Sequence, residues 1–199
     1  MQTKRIIFGI TGASGAPYAV ALLRELVQLD VQIHLIISEA AVTVMREELG
    51  QEYELPNFDL ERYAGLAIPP QKIILHNEKD LAAPPASGSF RHDGMLICPC
   101  SMKTLATVAH GTGNSLISRA ADACLKEHRR LILVPRETPL SLVHLKNMVS
   151  VAEAGAIVLP AMPGFYKRPE TLDDLVRHLI MKILDMLNLD HKISLRWKD

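Results

Sequence analysis

The stretch GITGASGAPYAVALL, Gly9 to Leu23, decides the fold, because three glycines at three-residue spacing lie where an apolar strand pattern passes into an apolar helix pattern. Glycine at such a turn allows positive φ and lets another molecule approach the backbone. The free N–H groups of a helix start attract anions. The stretch therefore predicts a turn that binds a ligand, and phosphate is the ligand expected first.

The spacing G-x-x-G-x-x-G does not by itself name a cofactor. It is neither the dinucleotide pattern G-x-G-x-x-G nor the G-x-x-x-x-G-K-[ST] of nucleotide triphosphatases. Ser14, between Gly12 and Gly15, has a hydroxyl that can bind a phosphate or the reacting part of a ligand. The alternative is that Gly12 and Gly15 only permit tight packing of helix on strand and that Ser14 only caps the helix.

The composition bounds the class of protein. The 199 residues suit one domain with a substantial core, and 22 Lys and Arg balance 22 Asp and Glu without a basic run. A nucleic-acid or membrane-surface role therefore lacks its electrostatic footprint. No apolar run reaches the roughly 18 residues of a membrane span, and the start MQTKRIIFGI resembles a strand more than a signal peptide. We expect a cytoplasmic protein whose partner is a small molecule or its own copy.

The cysteines and histidines favour no metal site. Cys98, Cys100 and Cys124 are odd in number and lack C-x-x-C spacing, and the eight histidines include no H-E-x-x-H. We expect reduced core thiols, neither a disulfide framework nor a metal centre.

Apolar β-rich runs alternate with helical patterns along the whole chain. This alternation predicts an α/β fold with a parallel sheet of about six strands and helices on both faces. The predicted strands are Arg5–Ile10, Val31–Ser38, Lys72–Leu75, Gly94–Pro99, Arg130–Pro135 and Ala156–Leu159. The predicted helices are Gly15–Gln28, Glu39–Glu48, Ser101–His110, Ser115–Glu127, Ser141–Ala154 and Leu172–Leu187.

Polar residues follow most of the predicted strands. Ligands of such sheets bind beyond the carboxyl ends of the strands, so these residues are the candidate site. They are Thr11–Ser14, Ser38, Ser101–Thr104, Arg136–Glu137 and Tyr166–Arg168.

Two of these segments carry recognisable chemistry. CPCSMKT, with Ser101 to Thr104, is a second helix start suited to an anion, and its alternative is a plain N-cap with a solvated Lys103. In LVPRETP, Arg136 offers a fork for phosphate or ring edges and Glu137 offers a proton to a leaving group. Exposed loop charge is the alternative there. The glycine turn and CPCSMKT are thus two helix starts suited to anions at one edge of the predicted sheet, and together they favour a cofactor that has both a phosphate and a ring.

These stretches resemble the flavin prenyltransferase family, the UbiX-type enzymes once described as decarboxylases. The matching segments run in order through most of the chain: GITGASGAPY, ISEAA, APPASGSF, CPCSMKTL, RAADACLKEHRRLILVPRETPLSLVHLKNM, PAMPGFYKRPETLDDL and the terminal RW. The resemblance implies a single three-layer Rossmann-like (flavodoxin-like) domain over residues 1–199, with a tail from about 186 to 199 closing over the active site.

The resemblance also implies an activity and an assembly. Members bind FMN without covalent attachment and assemble as dodecamers, in which neighbouring subunits complete each site. They join the dimethylallyl group of dimethylallyl monophosphate to N5 and C6 of reduced FMN, without a metal. The product, prenylated FMN, serves a UbiD-type decarboxylase.

The resemblance assigns roles to residues of this sequence. Expected catalytic residues are Ser14, Glu48, Lys126 and Glu137, with Ser14 and Glu48 handling a proton at N5 and Glu137 protonating the departing phosphate. Expected FMN contacts are Gly12, Ala13, Ser14, Ser38, Ser101, Met102, Lys103, Thr104 and Arg136. Expected substrate contacts are Ser87, Arg119, Lys126, Tyr166, Lys182 and Trp197.

One position departs from the family pattern. Lys182, in MKIL, stands where the family has arginine, so the charge is kept and the bidentate fork is lost. Glu47 is the neighbouring alternative to Glu48.

Two other functions fit the fold class. FMN-dependent cysteine decarboxylases have a catalytic histidine after the first helix and a P-x-M-N-x-x-M-W stretch, whereas this chain has HLKNM. A flavodoxin-like electron carrier is expected to be strongly acidic, whereas this chain has a formal charge of zero.

Overall fold

A computed structural model of the chain describes residues 3–50, 52, 54–55, 58–166 and 168–194. Strands and helices alternate along it. The strands are β1 (Lys4–Ile10), β2 (Val31–Ile37), β3 (Ile73–His76), β4 (Gly94–Cys100), β5 (Leu131–Pro135) and β6 (Ile157–Val158). The helices are α1 (Ala16–Gln28), α2 (Glu39–Leu49), α3 (Leu60–Ala64), α4 (Met102–His110), α5 (Leu116–Lys126), α6 (Leu142–Glu153) and α7 (Leu172–Met186).

The six strands form one parallel sheet in the order β3-β2-β1-β4-β5-β6. This is the order of doubly wound nucleotide-binding sheets, in which the chain reverses its direction of travel between β1 and β4. In sheets of this topology the ligand crevice lies at that switch point, beyond the carboxyl ends of the strands. The glycine turn follows β1 directly, so the topology places it beside this crevice.

Both faces of the sheet are covered by helices. Ile6, Phe8 and Ile10 of β1 point into one core with α1, α2, α3 and α7, while Ile7 points into the other with α4, α5 and α6. Burial on both faces explains why the strands are continuously apolar instead of alternating.

The predicted α/β fold is confirmed, and each predicted strand and long helix matches an observed one within one residue at each end. The short helix α3 and a single 3-10 turn at Pro84–Ala86 were not predicted, since neither is long enough to show a period. Within the described ranges, no helix combines the length and apolar composition that a membrane span requires.

A cluster of histidines and Phe90 lies beside β2 and β3. His34 on β2 is 4% exposed, and its Nδ1 lies 2.9 Å from Nε2 of His76 on β3. The rings of Phe90 and His34 meet edge to face with 4.8 Å between their centroids, and the His92 ring stacks on Phe90. Burial and the neighbouring His76, Arg5 and His92 lower the pKa of His34 to about 4, so its ring is neutral at pH 7.

Candidate active site

Thr11 joins the ends of β1 and β4 at the switch point. Its hydroxyl donates to the carbonyl of Pro99 at 2.9 Å and accepts the N–H of Ser101 at 2.8 Å. Its own N–H donates to the same Pro99 carbonyl. Thr11 thereby fixes the glycine turn against the start of α4. Sequence reasoning placed Thr11 at this edge but missed this role, and a polar residue directly after a buried strand was the available signal.

Two of the glycines are required for different reasons. A Cβ at Gly12 would lie 2.5 Å from Cβ of Ala40, so the turn packs directly on the start of α2. Gly15 has φ 129°, a conformation that side chains rarely adopt. Gly12 is therefore required for the close packing of the turn on α2, and Gly15 is needed for its backbone angle.

The start of α1 is occupied by a carboxylate of the same chain. Glu48, near the end of α2, accepts the N–H of Gly15 at 2.9 Å and that of Ala16 at 2.7 Å. A carboxylate at this position neutralises the positive end of the helix dipole. These two donors therefore already have an anionic acceptor, and the binding of phosphate at this turn stays a prediction. Among the two neighbouring glutamates, Glu48 is the one that contacts the turn.

Ser14 does not cap α1. The N-cap is Gly15, which makes no side-chain capping bond, so the capping alternative for Ser14 is wrong. Its carbonyl accepts a hydrogen bond from Nε of Arg136 at 3.1 Å. Its hydroxyl makes no hydrogen bond to the described part of the chain, and the half-buried side chain is free to meet a ligand. Ala13 beside it is buried.

Arg136 and Glu137 lie at the end of β5, both half-buried. Arg136 reaches back to the glycine turn through Ser14, which brings a guanidinium to the switch point. Glu137 accepts the N–H of Thr138 through Oε1 at 3.1 Å and keeps its other oxygen available. Tyr18, on the first turn of α1, lies near Arg136, and burial raises the pKa of its phenol. The end of β5 thus supplies one cation and one carboxylate to the edge.

The start of α4 remains open to an anion. Ser101 caps the helix by accepting the N–H of Thr104 at 3.2 Å, and the two hydroxyls lie 2.9 Å apart. The first-turn N–H groups of Met102 and Lys103 have no partner within a helix and point out of its end. Lys103 is exposed beside them. This end has the donors and the charge that a phosphate requires.

Ser38 lies at the same edge, after β2. Its N–H donates to the carbonyl of Ile10 at 3.0 Å, and its hydroxyl accepts the N–H of Ala41 to cap α2. Gly12, Ala13, Ser14, Ser38, Glu48, Ser101 to Thr104, Arg136 and Glu137 are therefore brought to one edge of the sheet.

Ser87 and Lys126 do not lie at this carboxyl edge of the sheet. The loop that carries Ser87 packs on the last turn of α5, where a Cβ at Gly88 would lie 2.5 Å from Nζ of Lys126. Lys126 is paired with Glu127, and both are exposed. The loop continues to Phe90, whose ring lies 5.9 Å from the guanidinium of Arg5 near the start of β1. Ser87 and Lys126 are consequently at the amino half of the sheet, opposite the glycine turn.

The other predicted substrate residues form no single group in one chain. Arg119 pairs with Asp122 at 3.2 Å on the surface of α5. Tyr166 packs against His178 on α7, and Lys182 is exposed one turn further along that helix. Within the described ranges, no hydrogen bond or ion pair joins Ser87, Arg119, Lys126 or Lys182 to the carboxyl edge.

The predicted tail is described only in part. Residues 187–194 follow α7, and Leu187, Leu189 and Ile193 are buried in the core beside α7. The carbonyl of Asn188 accepts a hydrogen bond from Lys4 at the start of β1. Trp197 lies outside the described residues, so its contact with substrate and the closing of the tail stay predictions.

The thiols are buried and unsuited to nucleophilic chemistry. Burial raises the pKa of the Cys100 thiol to about 12 and that of Cys98 further, so both are protonated at neutral pH. Across the portion of the chain described here, no three His, Cys, Asp or Glu side chains are grouped to hold a metal ion. Glu48 and Glu137 are the carboxylates that lie beside the glycine turn and the end of β5.

Comparisons with known proteins agree with this geometry. The model of the Flavoprotein family matches residues 1–184. The flavin prenyltransferase UbiX of Alkalihalophilus pseudofirmus is 46% identical over 98% of this chain and 96% of its own length. A dodecameric FMN-dependent UbiX-like decarboxylase from Escherichia coli O157:H7 superposes with a TM-score of 0.86 at 44% identity, covering 98% of this chain and all of that one.

A second solved structure carries ligands. AnUbiX (PadA1), in complex with FMN and dimethylallyl pyrophosphate, superposes with a TM-score of 0.84 at 40% identity, covering 99% of this chain and 100% of that chain. Full-length similarity at this level, on a sheet whose switch point carries the glycine turn, the open α4 start and Arg136, leads to one conclusion: the chain belongs to the flavin prenyltransferase family of flavoproteins.

Proposed function

We propose that this chain is a flavin prenyltransferase that joins the dimethylallyl group of dimethylallyl monophosphate to N5 and C6 of reduced FMN. The prenylated FMN so formed would serve a UbiD-type decarboxylase. The observation that carries the proposal is the arrangement of the two helix starts at the switch point: α1 is closed by Glu48, while α4 is open to phosphate. The activity of the full-length relatives supports the same reaction.

The residues at the edge fit FMN. Its phosphate would bind the open start of α4, where Ser101, Thr104 and the N–H groups of Met102 and Lys103 supply donors. Its ring would lie along the glycine turn, which packs directly on α2 because Gly12 has no side chain. Arg136, held by the Ser14 carbonyl, would add a cation beside it.

Reduced FMN would supply the electron-rich atoms that capture an allyl cation. Ser14 and Glu48 would hold and move the proton at flavin N5, since the Ser14 hydroxyl is free and Glu48 is anchored by two backbone N–H groups of the same turn. Glu137 would give its proton to the phosphate as the allylic C–O bond breaks. The delocalised cation needs no metal if cations neutralise the phosphate and water is excluded.

The remaining substrate residues require more than one copy of the chain. Lys126 and Ser87 lie at the amino half of the sheet, away from Glu137. Apolar residues at 45–66% exposure line α6, namely Leu142, Val143, Leu145 and Val149. Exposed apolar surface of this kind marks an interface. We infer that copies of the chain assemble, as a dodecamer, so that each site collects Arg119, Lys126, Tyr166, Lys182 and Trp197. We also expect the enzyme to act in the cytoplasm.

The test is an anaerobic reaction of the purified protein with reduced FMN and dimethylallyl monophosphate, followed by mass measurement of the released flavin. A gain of one five-carbon unit supports the transferase. Release of unchanged FMN by folded, flavin-bound protein would contradict the transferase function, provided that dimethylallyl diphosphate has also been tried. That result would favour a cysteine decarboxylase or an electron carrier.

Replacing Glu137 by glutamine tests the proton donor. We expect Glu137→Gln to bind FMN as the wild type does and to form prenylated flavin at least about 100-fold more slowly, as for loss of a general acid. Glu153→Gln, an exposed change at the end of α6, is the matched control. Loss of FMN binding in Glu137→Gln would make Glu137 structural. Activity regained on co-assembly of Glu137→Gln with Lys126→Ala subunits would support shared sites.

A further inference from the structure

A turn after β6 packs against the middle of α7 through a histidine. The N–H of Gly164 donates to Nδ1 of His178 at 3.1 Å. The ring of Tyr166 meets the His178 ring edge-on, with 6.3 Å between centroids and 62° between planes. A Cβ at Gly164 would lie 2.6 Å from the Tyr166 ring and 3.2 Å from Cε1 of His178. The turn is therefore fitted closely to both rings.

His178 also lies one helical turn before Lys182. Residues four apart on a helix are neighbours on one face, so His178 contacts Tyr166 and also neighbours Lys182. Both of those residues are proposed to contact the substrate phosphate. A side chain that contacts the first and neighbours the second is placed to set the distance between them.

The hydrogen bond fixes the protonation of the ring. Because Nδ1 accepts the Gly164 N–H, the proton of the neutral ring lies on Nε2. Burial, followed by the charge of Lys182, lowers the pKa of His178 below its usual value, which keeps Nδ1 free to accept at neutral pH. Protonation at Nδ1 would remove the acceptor.

The groups that face His178 are few. Lys182 is the charged group acting on it from α7, while Asp174, one turn earlier, is bound to the N–H groups of Glu170 and Thr171. From the turn, the Gly164 N–H and the Tyr166 ring are the groups that contact it.

We propose that His178 is a positioning residue of the allyl phosphate site, which holds the Tyr166 turn in register with Lys182 by accepting the Gly164 N–H. The proposal rests on the proposed prenyltransferase function. It goes beyond that function by assigning to His178 a role in substrate affinity and not in flavin binding or in the chemical step.

Two variants separate the acceptor from the ring. His178→Phe keeps a ring against Tyr166 and loses the acceptor, whereas His178→Asn keeps an acceptor near Nδ1 and loses the ring. We expect KM for dimethylallyl monophosphate to rise about fivefold in His178→Phe, the effect of one hydrogen bond, and to stay within about twofold of wild type in His178→Asn. The FMN dissociation constant and kcat should be unchanged in both.

The pH dependence of KM gives the second readout. The ratio of KM in His178→Phe to KM in wild type should be about five at pH 8 and fall towards one as acid protonates His178. The substrate phosphate titrates in both proteins and cancels from the ratio. If His178→Phe does not fold, His178→Asn and wild type decide, since only the wild-type KM should gain a component from His178 protonation.

Three results would overturn the proposal while prenylated flavin is still formed. They are equal KM rises in both variants, no rise in either, and a wild-type advantage that grows on acidification, which would make His178 a second phosphate cation. Absence of prenylated flavin from every protein, wild type included, would overturn the proposed function itself.

Discussion

The starts of α1 and α4 lie on either side of the switch point, and both were predicted to attract an anion. At α1 the donors of Gly15 and Ala16 are bound by Glu48, a carboxylate of the same chain. At α4, Ser101 takes only the N–H of Thr104, and the end of the helix stays open. The start of α1 is closed by a carboxylate of the fold, whereas the start of α4 has a capping serine and no such carboxylate among the described residues.

The difference comes from a partner that is remote in sequence. Glu48 is 33 residues from Gly15, and it reaches the turn because α2 packs against it where Gly12 has no side chain. A glycine turn therefore predicts a helix start that can hold an anion, while the identity of the anion depends on the tertiary neighbours.

Replacing Glu48, which binds the start of α1, should have the largest effect on the reaction. In Glu48→Gln the carboxylate that meets Gly15 and Ala16 becomes neutral, so proton handling at the proposed flavin N5 is lost. We expect prenylated-flavin formation to fall about 100-fold, measured under single turnover with reduced FMN.

Glu47→Gln is the matched control, because Glu47 is the preceding residue on the same helix and is exposed. It should react at the wild-type rate. A larger loss in Glu47→Gln than in Glu48→Gln would show that the residue assignment is wrong.

A side chain at Gly15 of the glycine turn should have an intermediate effect, on the stability of the fold. Gly15→Ala places a side chain at φ 129°, with its Cβ 3.0 Å from the Tyr18 ring, and should cost about 2 kcal/mol of unfolding free energy. Gly50→Ala is the control: Gly50 has φ 63° and open space around it, so the cost should be about 1 kcal/mol. Urea unfolding of the two variants measures the difference, and equal costs would contradict it.

Removing the cap of the open end should have the smallest effect. Ser101→Ala leaves the Thr104 N–H without its acceptor and takes a hydroxyl from the proposed phosphate site. We expect the FMN dissociation constant to rise about fivefold, with about 1 kcal/mol lost in stability. Thr171→Ala removes a comparable cap from α7 and should lose similar stability with unchanged FMN affinity. Equal FMN affinity in both variants would argue against a phosphate at α4.

Sequence reasoning succeeded where a local pattern determines the structure. The apolar runs of β1, β2 and β4 are buried on both faces, so their composition alone predicts a covered parallel sheet. Helix starts such as Thr171 with Asp174 carry their capping partners within four residues. The family and the fold were predicted correctly from these elements and from the motifs between them.

The candidate site was harder to predict because its contacts are long-range. The Arg136 bond to the Ser14 carbonyl joins residues 122 positions apart, and nothing near either residue indicates it. The separation of Lys126 from Glu137 depends on the direction in which α5 runs along the sheet, which linear spacing does not give. His178 carries no motif, so only the folded contact with Gly164 draws attention to it.

The cluster of His34, His76 and His92 around Phe90 has a practical consequence for handling the protein. His34 is neutral when folded, with a pKa of about 4, whereas the unfolded chain would take up a proton near the usual value of 6.5. Between those values the unfolded state binds more protons, so stability falls as the buffer is acidified through this window. Preparations kept at mildly acidic pH should melt at lower temperature than those kept at neutral pH, even with the carboxyl edge of the sheet unchanged.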